Sequence, residues 1–113
     1  MILVLLSILR KKDFIRYKYR FNLENFVHIH HIIPMEWKTK ARLKGYDVDM
    51  GYNMMFMPNK LGKTKIITER RNHEGGHMKY NKYISERLEH ECPFEISNVV
   101  RRDLMNNMNI PWK

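Results

Sequence analysis

Cysteine is nearly absent from this chain: Cys92 stands alone among 113 residues. It has no partner for an internal disulfide, which excludes a disulfide-stapled scaffold and fits a reducing compartment. Acidic residues are also few, 12 Asp and Glu against 21 Lys and Arg, for a formal charge of +9. A short chain with that excess suits a polyanionic partner, because each neutralised phosphate releases counterions. Composition alone suits a basic protein with no nucleic-acid role equally well. Long hydrophobic runs are missing too. The first nine residues, MILVLLSIL, hold eight apolar side chains, too few to span a bilayer. The basic residues Arg10, Lys11 and Lys12 follow this run instead of preceding it, which is the wrong order for a signal peptide. The run reads as a buried strand or helix, the expected location is intracellular, and no stable membrane association is expected. No repeat, low-complexity tract or linker appears, so residues 1–113 are expected to form one domain.

What is present falls into short elements. IRYKYRF, residues 15–21, alternates Ile15, Tyr17, Tyr19 and Phe21 with Arg16, Lys18 and Arg20. Period two predicts a strand with one buried and one cationic face, the latter either solvated or facing nucleic acid. VHIHHII, residues 27–33, predicts a second strand, stopped by Pro34. Residues 35–44 suit a short helix between Pro34 and Gly45. NMMFM, residues 53–57, predicts a strand closed by Pro58, its methionines filling the core, and NKLGKTK reads as a basic loop. Tyr80, Tyr83, Ile84 and Leu88 fall at helix spacing between His77 and His90. Ser97 is a candidate cap for a last helix carrying Val100, Leu104 and Met108. The fold class is therefore α+β, with a flanking N-terminal strand and a C-terminal helix.

Residues 73–77, HEGGH, satisfy His-Glu-x-x-His, a zinc-protease signature. That chemistry requires the motif in mid-helix, so that both histidines leave one face onto the metal. Gly75 and Gly76 each cost about 1 kcal/mol there relative to Ala. The apolar periodicity begins only after His77, so the motif straddles a helix start and the metalloprotease reading is disfavoured. His73 and His77 remain candidate metal ligands from a loop-to-helix junction.

A second group, His28, His30 and His31, sits in VHIHHIIP. Side chains alternate along a strand, so His28 and His30 share one face and His31 takes the other. Imidazole binds divalent metal when neutral and titrates near neutrality, so a pair here can serve as one ligand and one base. His28 reads as an ordinary strand residue, His90 as a favourable charge near a helix C-terminus, and Trp37 and Trp112 as packing.

Taken in order, HHIIP, then Asn53 before NMMFMP, then HEGGHMKYN resembles the HNH/endonuclease VII superfamily of nucleases, with its ββα-metal fold. The likeness is nearest to the AHH branch and runs from about residue 28 to residue 84. Ile29 stands in place of the branch's Ala, Met57 in place of Leu and Met78 in place of Pro. None of these removes a group the chemistry needs.

The resemblance implies a ββα-metal core over about residues 27–91. His30, His73 and His77 would be metal ligands and His31 the general base. Asn53 would fasten the loop between the strands and so orient His31. Tyr80 and Asn81 would pack or support the site, and Lys60, Lys63 and Lys65 would hold the backbone of the substrate. The implied function is metal-dependent endonuclease cleavage of nucleic acid, DNA in the first instance and double-stranded. The implied cofactor is one divalent ion: Zn²⁺, Mg²⁺, Mn²⁺ and Ni²⁺ all stay open, with three imidazoles favouring a transition ion in affinity. A dimer is compatible with so small a surface. The rival reading is a zinc-stabilised DNA-binding module without turnover, for which a closed four-ligand site including His31 would speak.

Overall fold

The computed structural model describes residues 9–73 and 76–113. The expectation for the apolar N-terminus thus lies outside the described residues, apart from Leu9. Two antiparallel strands, β1 (Val27–His31) and β2 (Met54–Pro58), form the sheet. Among the described residues, five α-helices accompany it: α1 (Lys11–Arg20), α2 (Lys38–Leu43), α3 (Lys60–Lys65), α4 (Met78–Leu88) and α5 (Pro93–Met105). A 3-10 turn at Met35–Trp37 leads into α2. The α+β class and the two central strands agree with the sequence reading, and β1, β2 and α4 make a ββα unit.

Residues 15–21 are helical, not a strand. Their period-two pattern coexists with a second one: Phe14, Tyr17 and Phe21 lie at helix spacing. Phe14 and Tyr17 pack on Phe56 of β2 with ring centroids 5.3 and 5.5 Å away. At the start of this helix the Asp13 carboxylate accepts the Arg10 N–H at 2.8 Å. Lys18 and Arg20 sit in its last turn, where the helix dipole favours cations.

NKLGKTK is likewise helical. Asn59 Oδ1 accepts the Gly62 N–H at 2.7 Å, a side-chain N-cap. Gly62 allows the close approach of this turn to the entry of β1: a Cβ there would lie 1.9 Å from the Phe26 carbonyl oxygen. The glycine that reads as a loop signal is therefore a packing residue.

The last helix starts earlier than expected. Pro93 occupies its first turn, and Ser97 is buried inside it, donating to the Phe94 carbonyl at 3.0 Å. Its buried face is Ile96, Val100 and Leu104, while Met108 lies beyond its end and is exposed. The core collects Ile32, Ile33, Tyr46, Val48, Met55 and Met57 against Tyr80, Ile84 and Leu88 of α4. Arg101 of α5 donates to the backbone carbonyls of Met54 and Tyr52, tying that helix to β2.

Candidate metal centre

Strand β1 presents His28 and His30 on one face, as alternation requires. Both reach His73: His30 Nδ1 lies 3.1 Å from His73 Nε2, and His28 Nδ1 lies 3.1 Å from His73 Nδ1. His73 is held from behind, its N–H donating to the Pro58 carbonyl at the end of β2 at 2.7 Å. His77 is the residue just before α4, so its ring leaves the helix start towards the same point. One nitrogen from each of His30, His73 and His77 lies within 4.8 Å of the others, a set that could hold a metal ion. The two histidines of HEGGH do not share a helix face, since α4 begins only at Met78.

The donor set fits a metal ion. Two nitrogens each about 2.0–2.1 Å from a tetrahedral ion are about 3.3 Å apart, close to the 3.1 Å between His30 and His73. Two of the three rings are tethered through their other nitrogen. His77 Nδ1 pairs with Asn81 Oδ1 at 2.8 Å, and His73 Nδ1 pairs with His28. Such outer partners choose the tautomer and aim the other nitrogen. His30 Nε2 is buried without a hydrogen-bond partner.

Burial and mutual repulsion favour the neutral form of His30 and His73, the state that binds metal. Burial, then the neighbouring His73, His77 and His31, hold the His30 pKa well below the usual histidine value. Burial, then His77 and His28, bring that of His73 down to about 4.

His31 points to the other side of the strand and is not part of the three-histidine set. Its Nε2 lies 3.8 Å from the Asp49 carboxylate. Burial and the charge of Lys11 lower its pKa, and Asp49 works in the opposite direction. The ring lies at the end of β1, so it still opens into the cleft of about 330 Å³ lined by His30, His73, His77 and Asn81.

Asn53 is fully buried just before β2. Its Oδ1 accepts the Ile33 N–H and the Tyr46 hydroxyl, both at 2.7 Å. Its Nδ2 donates to the carbonyls of Ile33 and Val48 at 3.0 and 2.9 Å. Its backbone carbonyl also accepts the Ile32 N–H at 2.8 Å, next to His31. All of its side-chain hydrogen-bonding capacity is spent on the loop between the strands. Tyr80 is buried below, its hydroxyl donating to the Ile32 carbonyl and its ring 5.0 Å from that of His30.

Three neighbours went unrecognised in the sequence: His28, Asp49 and Trp112 as a site residue. The Trp112 indole is buried and packs 5.0–5.6 Å from the rings of His77, His30 and His73. Its backbone carbonyl accepts the Tyr80 N–H at 3.1 Å. It is a packing residue, as read, but what it packs against is the histidine cluster. Sequence order gives no signal for such a return of the chain. His28 carried one weak signal, its alternation with His30.

An antiparallel strand pair followed by a helix, with histidines from the strand, the helix approach and the helix start meeting over one cleft, is a ββα arrangement able to hold a metal ion. The AHH family, described as a nuclease family of the HNH/ENDO VII superfamily with conserved AHH, matches residues 15–92, and the chain belongs to that family. No curated protein matches the chain, and no solved structure matches it.

Proposed function

We propose that this protein is a metal-dependent endonuclease that hydrolyses phosphodiester bonds, with DNA as substrate. Residues 1–113 act as one nuclease domain with the ββα core over about 27–91. The observation that carries the reading is the opening of the three-histidine set and of a separate histidine, His31, into one cleft. Membership of a nuclease family supplies the substrate class.

His30, His73 and His77 would hold a divalent ion, with His28 and Asn81 keeping two of them aimed. A divalent ion bound there would supply charge neutralisation for the phosphate oxygens and the leaving oxygen. His31 takes a proton from the attacking water as its oxygen bonds to phosphorus. The opposite phosphorus–oxygen bond breaks, the leaving oxygen is protonated from solvent, and His31 returns its proton to solvent. General-base help of this kind is worth about 10² to 10⁴ in rate. A ring whose pKa is lowered is already neutral at pH 7 and ready to accept that proton. Asn53 ties the loop after His31 and so limits where that ring can go. The structural-module alternative would want His31 as a fourth ligand, whereas the set comprises three histidines without it.

The test is cleavage of supercoiled plasmid by metal-stripped protein resupplied with Mg²⁺, Mn²⁺, Zn²⁺ or Ni²⁺. Metal-dependent nicking is expected, and His31→Ala should abolish it while still binding metal. Equal cleavage by parent and His31→Ala would remove His31 as the base. Absence of cleavage with every metal, from folded metal-binding protein, would replace the nuclease by the module.

A further inference from the structure

Helix α1 carries five basic residues, Lys11, Lys12, Arg16, Lys18 and Arg20, against one acid, Asp13. Its inner side, Phe14 and Tyr17, is seated on the Phe56 ring. Phe56 pairs across the sheet with Ile29, and directly paired residues project to the same face. His31 is two residues further along that strand, on that same face. The N-terminal end of the helix is pinned nearby: Arg10 bridges to Met50, next to Asp49, whose carboxylate lies 3.8 Å from His31. The helix thus starts beside His31 and runs on across the same side of the sheet.

Lys12, Arg16 and Arg20 fall at i, i+4 and i+8, on the side away from Phe56, and all three are exposed. At 1.5 Å per residue they form a stripe about 12 Å long. One strand of a duplex advances about 3.4 Å per phosphate along its axis, so the stripe spans three to four phosphates. Asp13 engages Arg16 only at 4.0 Å and at the surface, where such a pair is weak. The neighbouring Tyr19 is 65 % exposed, and Arg20, although its guanidinium lies 5.8 Å over the Phe21 ring, remains at the surface with Lys12 and Arg16.

Resting on the nuclease reading, we propose that the outer face of α1 is a docking rail for the nucleic-acid backbone, holding the strand that continues past His31. The charge favours a polyanion. Continuity with the catalytic face favours nucleic acid over an anionic membrane. Contacts of this type position the substrate and carry no base readout.

The experiment measures binding of a 20-base-pair duplex to metal-loaded His31→Ala protein by fluorescence anisotropy, between 50 and 200 mM salt. The same is done with Lys12→Gln, Arg16→Gln and Arg20→Gln added together, and circular dichroism checks that the fold is kept. Loss of three phosphate contacts should lower the slope of log affinity against log salt by about 2.7. Plasmid cleavage by the triple variant with His31 intact should weaken through KM and not kcat. An unchanged slope, with the parent binding and cleaving DNA, would overturn the rail and leave the nuclease standing. A parent that neither binds nor cleaves nucleic acid would overturn both. Loss of binding to phosphatidylserine vesicles, with the DNA slope unchanged, would assign the stripe to a membrane surface instead and overturn the proposal.

Discussion

Replacing Asn53 with alanine should cost this protein about 3–5 kcal/mol of stability. The side chain makes four hydrogen bonds, to Ile33 N–H, Ile33 carbonyl, Val48 carbonyl and the Tyr46 hydroxyl. A typical intramolecular hydrogen bond contributes about 1 kcal/mol net, and a buried group left without a partner costs about 1–3 kcal/mol. Asn53 has no exposed surface and Tyr46 is 1 % exposed, so water cannot readily replace the lost partners. A domain of this size has about 6–17 kcal/mol in all, so the variant should fold but melt early. At about 4 °C per kcal/mol the melting temperature falls by about 12–20 °C. Urea unfolding followed by circular dichroism measures the free energy, and the slope against urea should stay constant. Tyr46→Phe removes one of the four bonds and should cost about 1 kcal/mol. Asn53→Asp separates hydrogen bonding from shape. An ionised carboxylate has no N–H for the two carbonyls, so this variant should be as unstable as the alanine at pH 8. It should recover part of the loss as the pH falls, because the protonated acid can donate once. A loss under about 1 kcal/mol for Asn53→Ala would refute the argument, as would an Asn53→Asp protein equal to the parent at pH 8.

Metal-free protein should lose stability as the pH falls from about 6.5 towards 4. His73 takes up its proton at 6.5 in the unfolded chain but only near 4 in the folded one, so the unfolded state binds more protons over that window. Urea midpoints in chelator at pH 7.5 and 4.5 measure the drop, and an equal drop in His73→Gln would acquit this ring. His28→Ala should weaken divalent-metal binding by about 10–100-fold, the usual consequence of losing an outer partner of a ligating histidine. Competition with a chromophoric chelator reads this directly, and unchanged affinity would show that the 3.1 Å contact with His73 does not aim the ring. Gly62→Ala should destabilise strongly, because its Cβ would meet the Phe26 carbonyl at 1.9 Å. A melting temperature equal to the parent's would mean that α3 moves aside without cost.

The candidate site residues were easier to name from the sequence than the elements around them. The resemblance to the HNH/endonuclease VII superfamily singled out His30, His31, Asn53, His73 and His77 together, because that likeness rests on particular residue types in a particular order. The structure gathers three of them into one set and places Asn53 at the loop it ties. Periodicity is weaker evidence where two periods coexist. In residues 14–21 the apolar positions satisfy both period two and helix spacing, and contact with Phe56 decides for the helix. Gly62 misled in the other direction. It signals a break by propensity, but close approach to Phe26 requires it inside a capped helix. His28, Asp49 and Trp112 join the site only through tertiary contact, which no local pattern encodes.

Trp112 gives that last point a structural consequence. The matched family segment ends at residue 92, and the indole lies 20 residues beyond it. Yet the ring packs against His30, His73 and His77 and leaves only 4 % of the residue exposed. Two interactions fix this return. The Tyr80 N–H, in the first turn of α4, donates to the Trp112 carbonyl, so the tail satisfies a backbone donor that a helix start leaves open. The Arg71 guanidinium lies 4.4 Å over the indole from the outer side, two residues before His73. The histidine cluster is therefore walled on one side by residues outside the ββα unit itself. That wall adds to the burial that is the largest cause lowering the pKa of both His30 and His73. The C-terminal tail in this way contributes to favouring the neutral form of the His30 and His73 imidazoles, the form able to bind a metal ion, although it offers no ligand of its own.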